Sequence, residues 1–186
     1  MNNRETALEI LKSGKVLIYP SDTVWGIGCD ARNDLAVQLV SKLKARETGK
    51  SYIILLDAAE KIQRYVQNVP DIAYDLIEFS ENPLTIVFDK GKNVAATVLA
   101  EDGSIAIRVV KEGFCHELIK RFNGPLLSTS ANISGMPTEG DFMSIPKELK
   151  EMADYVVPEL EARHQTMKPS TIMRLSSGGE FSFIRR

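Results

Sequence analysis

The sequence predicts an α/β fold in a single domain over residues 1–186. Stretches with helical periodicity alternate with short apolar runs along the chain, which is the pattern of an α/β protein. A hairpin signal near the C-terminus requires some antiparallel pairing, so we expect a mixed sheet with flanking helices. The 186 residues are 44% hydrophobic and 26% charged, which suits one soluble domain with a sizeable core.

The elements of the N-terminal half follow from periodicity and from residues that stop helices or strands. Gly14 is a typical helix stop, and Pro20 ends the apolar run before it. The first helix is predicted over Glu5–Ser13, with Ala7, Leu8 and Leu11 on one face. A second helix begins at Asn33 or Asp34 and carries Leu35, Leu39, Val40 and Leu43 at helical spacing. Two further helices are predicted over Ala58–Gln67 and Asp71–Phe79. Strands are predicted over Lys15–Tyr19 and Ser51–Leu56.

The C-terminal half is interpreted in the same way. Asp102-Gly103 is a turn signal, Gly124-Pro125 ends a helix, and Pro146 suits a first helical turn. The predicted strands are Leu84–Phe88, Ser104–Val110, a short run at Leu126-Leu127, and a hairpin of Thr171–Leu175 with Phe181–Ile184. The predicted helices are Gly113–Phe122 and Pro146–Met152, and Ser128–Asn132 is predicted as a loop.

Charge and composition exclude several classes of protein. The net charge of −2 and the pI of about 5.8 provide no overall positive field, so any RNA contact requires a local patch. The N-terminus carries Arg4, Glu5 and Glu9 and is no signal peptide, and no apolar run approaches the ~20 residues of a membrane span. Cys29 and Cys115 lack metal or redox spacing. We expect a cytoplasmic protein with reduced thiols, no membrane contact and no metal site of its own.

Short polar side chains and glycines follow the first predicted strand. Gly26 and Gly28 taken alone favour a tight turn, because no third glycine completes a dinucleotide fingerprint. The preceding Ser21, Asp22 and Thr23 form a donor and acceptor set at a strand end, where open sheets usually bind ligands. The segment is therefore a candidate binding turn.

A cationic cluster lies between the second predicted helix and the next strand. The helix dipole explains Lys42, and it does not require Arg46 and Lys50 beyond the helix end. Four cations that include Lys44 repel one another unless an anion is present. The cluster is either an anion site or a solvated helix end.

Two further features point to a polyanionic ligand. Ser128, Ser130 and Asn132 lie in a hydroxyl- and amide-rich segment that is otherwise an ordinary capped loop. Arg108 lies among isoleucines and valines, so it either faces solvent or faces inward with a carboxylate or phosphate. Glycines and hydroxyls allow close approach to a phosphate that lysine and arginine neutralise, as at a nucleotide site.

These segments together resemble the YrdC/TsaC family, the L-threonylcarbamoyladenylate synthases of tRNA modification. The family's first motif is similar to Tyr19–Gly28, its Lys-x-Arg with a further lysine matches Lys44, Arg46 and Lys50, and its Ser-x-Ala-Asn-x-Ser-Gly matches the segment from Ser128 to Gly135. The resemblance covers nearly the whole chain and implies a twisted open sheet around a large positive cavity (the YrdC-like fold). Because the chain ends soon after this region, we expect the short form without a further C-terminal domain.

Ser21, Trp25 and Ser51 depart from the residues most common in the family, and they affect the pocket wall rather than its polar groups.

The resemblance implies the condensation of L-threonine, bicarbonate or CO2 and ATP to threonylcarbamoyl-AMP and pyrophosphate. The implied roles are catalysis by Lys44, Arg46 and Lys50, threonine binding by Thr23 and Arg108, and nucleotide binding by Ser128, Ser130, Asn132 and Ser170. Mg²⁺ is expected to arrive with ATP, and the product is expected to pass to tRNA-modification partner proteins. Weak RNA binding is also compatible with the family.

Three alternatives remain open at this stage. A non-catalytic double-stranded-RNA-binding module of the same fold is disfavoured by the net charge of −2. A carbamoyl-transfer domain of a hydrogenase-maturation protein normally comes in a longer chain with zinc-finger cysteines. A dihydroxybutanone phosphate synthase needs an acidic metal cluster that the sequence does not suggest.

Overall fold

The computed structural model describes residues 2–44, 52–133, 140–163 and 165–186, and a mixed sheet forms its centre. The strands within these residues are β1 Leu17–Pro20, β2 Trp25–Asp30, β3 Ile53–Leu56, β4 Leu84–Phe88, β5 Ile105–Val109, β6 Leu126–Ser130, β7 Tyr155–Val156, β8 Thr171–Leu175 and β9 Phe181–Arg185. They lie side by side in the order β7-β1-β2-β6-β3-β5-β4-β8-β9. The pairs β1/β7, β3/β5 and β4/β8 are parallel and the other neighbours antiparallel, which confirms the α/β class and the mixed sheet.

Helices flank this sheet. The α-helices are α1 Asn3–Lys12, α2 Asp34–Leu43, α3 Ile72–Glu78, α4 Gly113–Phe122 and α5 Lys147–Met152. Short 3-10 helices span Ala59–Arg64, Ala96–Val98 and Glu159–Glu161, so the helix predicted over Ala58–Gln67 is a 3-10 segment instead. None of the helices described combines the length and apolar character that a membrane-spanning helix needs.

Side-chain caps start the first two helices. The side chain of Asn2 accepts a hydrogen bond from the Arg4 N–H at α1, and that of Asn33 accepts one from the Ala36 N–H at α2. The buried face of α2 differs in part from the predicted one: Val40 and Leu43 are buried as predicted, whereas Leu35 and Leu39 are exposed. Ala36 and Val37 complete the buried face in their place, and they satisfy helical spacing equally well.

The glycine segment after β1 is a strand and not the predicted tight turn. Gly26 and Gly28 lie in β2 between β1 and β6, where the ring of Tyr19 occupies the space above them. A Cβ on Gly28 would lie 1.8 Å from the carbonyl oxygen of Leu127, so only glycine allows the neighbouring strand to approach this closely. The paired segment Leu126–Ser130 likewise continues as β6 through the serines that were predicted to form a loop.

Candidate active site

A cavity of about 380 Å³ lies over one face of the sheet. Its floor is a row of cross-strand neighbours, Ser128, Ile53, Ala106 and Val87. The adjacent row is apolar and buried: Cys29, Leu127, Ile54, Ile107 and Ile86. Because side chains alternate between the two faces of a strand, the same strands build the core on one side and the cavity on the other.

The turn between β1 and β2 supplies one wall of this cavity. The Ser21 hydroxyl donates to the carbonyl oxygen of Val24 at 2.7 Å and accepts from the Thr23 N–H at 3.1 Å. The hydroxyls of Ser21 and Thr23 are 3.0 Å apart. Both side chains are buried in the turn, so these bonds fix the Thr23 hydroxyl at the cavity wall.

Arg108 faces inward from β5 and lines the cavity. Its Nη2 lies 3.0 Å from Oδ1 of Asp22 and donates weakly to the Ser21 hydroxyl at 3.5 Å. The contact with Asp22 is an ion pair without hydrogen-bond alignment, since this oxygen accepts no hydrogen bond from any described residue. The buried Nε of Arg108 also lacks a hydrogen-bond partner among those residues. The guanidinium therefore keeps unused hydrogen-bonding capacity at the cavity wall.

A hydroxyl row runs along β6 and ends at a buried lysine. Ser128 and Ser130 line the cavity, and the Ser130 hydroxyl donates to Oδ1 of Asn132 at 2.6 Å. Nζ of Lys44 donates to the Ser130 carbonyl oxygen at 2.7 Å, to Oδ1 of Asn132 at 2.8 Å, and to the Asn132 carbonyl oxygen. Lys44 is only 2% exposed, so it is not a solvated helix-end cation, whereas Lys42 is exposed and fits that interpretation.

The opposite wall comes from the C-terminal strands. The hydroxyls of Ser170 and Thr85 lie 2.8 Å apart in the buried layer between β4 and β8. Arg185 donates to the Ser170 carbonyl oxygen from Nε at 3.2 Å and from Nη2 at 2.8 Å. Partial desolvation at the cavity edge, with the positive charge of Arg108, lowers the pKa of Arg185 below its usual value. Two arginines thus line one cavity, which favours an anionic ligand.

The structure brings most of the predicted site residues together. Five of them line the cavity: Thr23, Arg108, Ser128, Ser130 and Ser170. Lys44 and Asn132 adjoin it through their hydrogen bonds with Ser130. Arg46 and Lys50 lie outside the described residues.

Sequence reasoning missed two charged residues of the site. Asp22 was noted as one of three polar residues, and nothing in the chain indicated its pairing with Arg108. Arg185 lies in the terminal hairpin, where alternation along β9 is compatible with either face. In the folded protein, Ile184 and Arg185 of β9 line the cavity.

Comparisons with known proteins show which family the chain belongs to. The Sua5/YciO/YrdC family model, described as "Telomere recombination", matches residues 9–186. A threonylcarbamoyl-AMP synthase from Pseudoalteromonas translucida is 31% identical over 178 residues, which are 94% of this chain and 94% of that protein.

Solved structures share the fold. That of P. abyssi Sua5 complexed with L-threonine has a TM-score of 0.83 and 25% identity, and it covers 93% of this chain. This chain covers 50% of the length of that Sua5 chain. E. coli YciO has a TM-score of 0.81 and 23% identity and covers 98% of this chain and 88% of its own. With a family model that matches nearly all of its residues, the chain belongs to the Sua5/YciO/YrdC family.

Proposed function

We propose that this protein is an L-threonylcarbamoyl-AMP synthase, which condenses L-threonine, bicarbonate or CO2 and ATP and releases pyrophosphate. The observation that carries the proposal is a cavity lined by a buried arginine with unused hydrogen-bonding capacity beside a row of hydroxyls. The relatives that match this chain over most of its length bear the same name. The product supplies the threonylcarbamoyladenosine modification of tRNA beside the anticodon, through partner proteins that use it.

The amino-acid end of the cavity is assigned to Arg108 and Thr23. Arginine can grip a carboxylate with two parallel hydrogen bonds, and a buried guanidinium makes these bonds stronger than they are in water. Thr23 has its hydroxyl fixed by Ser21 and is suited to the amino or hydroxyl group of threonine. This pair selects a small amino acid with a free carboxylate.

The nucleotide end is assigned to the hydroxyl row and the cations beside it. Ser128, Ser130, Asn132 and Ser170 offer donors to the phosphate and ribose of AMP. Lys44, Arg46 and Lys50 supply positive charge where the triphosphate reacts, and ATP enters with its own Mg²⁺ as substrate. Through its contacts with Ser130 and Asn132, Lys44 also holds the end of β6 in place.

The reaction needs charge stabilisation more than it needs a protein nucleophile. The threonine amine adds to CO2 and loses a proton, which gives a carbamate. A carbamate oxygen then attacks the α-phosphorus of ATP, the bond from that phosphorus to the bridging oxygen breaks, and pyrophosphate leaves. Negative charge grows on the phosphoryl oxygens and the leaving group, so preorganised cations and donors lower the barrier.

The test is pyrophosphate release from ATP, with threonine and bicarbonate each left out in turn. Release is expected only with both present, and L-serine is expected to replace threonine poorly. Release that is equal with serine, or without any amino acid, contradicts the proposal.

The cations are tested in the same assay. Arg46→Ala and Lys50→Ala are expected to lower turnover by roughly 10²–10³-fold each, because each removes a group that stabilises transition-state charge. Lys42→Ala is the matched control, since Lys42 is an exposed cation of the same region. Near-normal turnover in the double variant refutes these two roles.

A role as an RNA-binding module alone predicts a different outcome. The protein would then bind double-stranded RNA and release no pyrophosphate under any combination of substrates. The net charge of −2 favours the enzyme, and weak RNA binding by a local patch is compatible with it.

A further inference from the structure

We infer that Asp22 is a positioning residue that holds Arg108 at the amino-acid end of the cavity and keeps it away from the triphosphate. The inference rests on the proposed function, because it assumes that Arg108 binds the threonine carboxylate. Its direct basis is the ion pair between Asp22 Oδ1 and Arg108 Nη2 at 3.0 Å.

Asp22 lies behind Arg108 as seen from the cavity. Within the described residues, the cavity lining includes Arg108 and not Asp22. Asp22 instead lines a separate pocket of about 140 Å³ beside Lys111 and Thr166. Its side chain is only 13% exposed, and its own carbonyl oxygen accepts the Thr166 N–H at 3.0 Å. The backbone of Asp22 is therefore anchored by Thr166, and its carboxylate lies outside the cavity in which the substrate is proposed to bind.

The charges around the cavity explain why Arg108 needs such an anchor. Arg185 lines the same cavity and carries a like charge, so the two guanidinium groups repel each other. A bound triphosphate would attract Arg108 across the cavity, because arginine binds phosphate and carboxylate with the same fork. The carboxylate of Asp22 opposes both displacements. The Nε of Arg108 has no hydrogen-bond partner among the described residues and is available to a ligand.

A variant that removes only the charge separates positioning from general stability. Asp22→Asn keeps the shape of the side chain and releases Arg108 to the phosphates. By calorimetry, the Kd for L-threonine is expected to rise at least tenfold, while the Kd for ATP is expected to stay within threefold or to fall. Asp30→Asn is the matched control, because it removes an Arg–Asp pair with Arg32 outside the cavity, and neither Kd should change.

The orientation of Arg108 is followed directly by the ¹H–¹⁵N resonance of its Nε–H, assigned by its loss in Arg108→Lys. Threonine is expected to shift this resonance in the wild-type protein, and Asp22→Asn to displace it before any ligand is added. Asp22→Glu retains the charge, and it is expected to keep both the resonance and the threonine Kd within about threefold of wild type. If Asp22→Asn does not fold, the test rests on Asp22→Glu, whose Arg108 resonance and threonine Kd are compared with those of the wild-type protein.

Three outcomes overturn the inference. The first is a threonine affinity that is unchanged in folded Asp22→Asn, and the second is an equal loss of threonine and ATP affinity. The third is a folded Asp22→Asn or Asp22→Glu variant in which the Arg108 Nε–H resonance moves while the Kd for threonine stays unchanged. If the wild-type protein itself fails to bind threonine, the proposed function fails along with the inference, whereas the other outcomes leave the proposed function intact.

Discussion

Lys44→Met tests whether the buried lysine holds the end of β6. Methionine has nearly the same length and volume as lysine, so the substitution removes the ammonium without opening a large cavity. In the native protein this ammonium donates to the carbonyl oxygens of Ser130 and Asn132 and to the Asn132 side chain. The variant leaves these three oxygens without their shared donor.

The expected loss of stability follows from these contacts. A buried acceptor that loses its partner costs roughly 1–3 kcal/mol. The sum over the three acceptors is partly offset, because Oδ1 of Asn132 keeps its hydrogen bond from the Ser130 hydroxyl and because burial of the ammonium is itself unfavourable. We therefore expect a net loss of about 3 kcal/mol. For a protein of this size about 1 kcal/mol shifts Tm by roughly 2–4 °C, so Tm should fall by about 6–12 °C.

The measurement is thermal unfolding by circular dichroism, together with the Kd for ATP. ATP binding is expected to weaken, because Ser130 and Asn132 belong to the proposed nucleotide end of the cavity. Lys42→Met is the control on the same helix, and this exposed residue should change stability by no more than about 0.5 kcal/mol. A fall in Tm of less than 2 °C with unchanged ATP binding would refute the structural role of Lys44.

Three further predictions concern the sheet, the arginine and the thiols. Gly28→Ala should cost about 3 kcal/mol or more in urea unfolding, since its Cβ would lie 1.8 Å from a carbonyl oxygen of β6, whereas Gly178→Ala should be tolerated because the nearest atom is 3.7 Å away. Arg108→Lys should weaken threonine binding roughly 10–100-fold, by the loss of a charge-assisted hydrogen bond, and ATP binding by much less; equal weakening would assign the residue to the phosphates. Burial raises the pKa of Cys29 to about 12 and also raises that of Cys115, so neither should react with a thiol reagent at pH 8 before unfolding. Because the two thiols of the unfolded chain lose their protons at about pH 8.5, the free energy of unfolding should decline above that pH. Rapid labelling of the folded protein would contradict the burial of the two thiols.

Local patterns were sufficient where neighbouring residues decide the structure. The capping Asn33, the stop at Gly14 and the apolar run in β4 are short-range signals, and the elements they predicted are present. Chemistry in the sequence also selected residues that meet in space, since Thr23, Arg108 and Ser128 line one cavity.

Long-range packing decided the rest. Gly26 and Gly28 looked like a turn because glycine permits turns, yet they form a strand because Tyr19 and β6 approach closely from either side. The exposure of Leu35 and Leu39 likewise depended on which face of α2 meets the sheet. Two faces of one helix with similar apolar spacing cannot be distinguished without the partner surface.

By itself, the sequence determined the α/β class, most of the element positions and several of the polar residues that line the cavity. Only the tertiary structure decided that Arg108 faces inward, that Asp22 pairs with it, and that Arg185 closes the opposite wall. The physical reason is that alternation along a strand leaves two faces open to each side chain, and burying a charge depends on a partner far away in the chain. Such pairings exist only once the sheet has assembled.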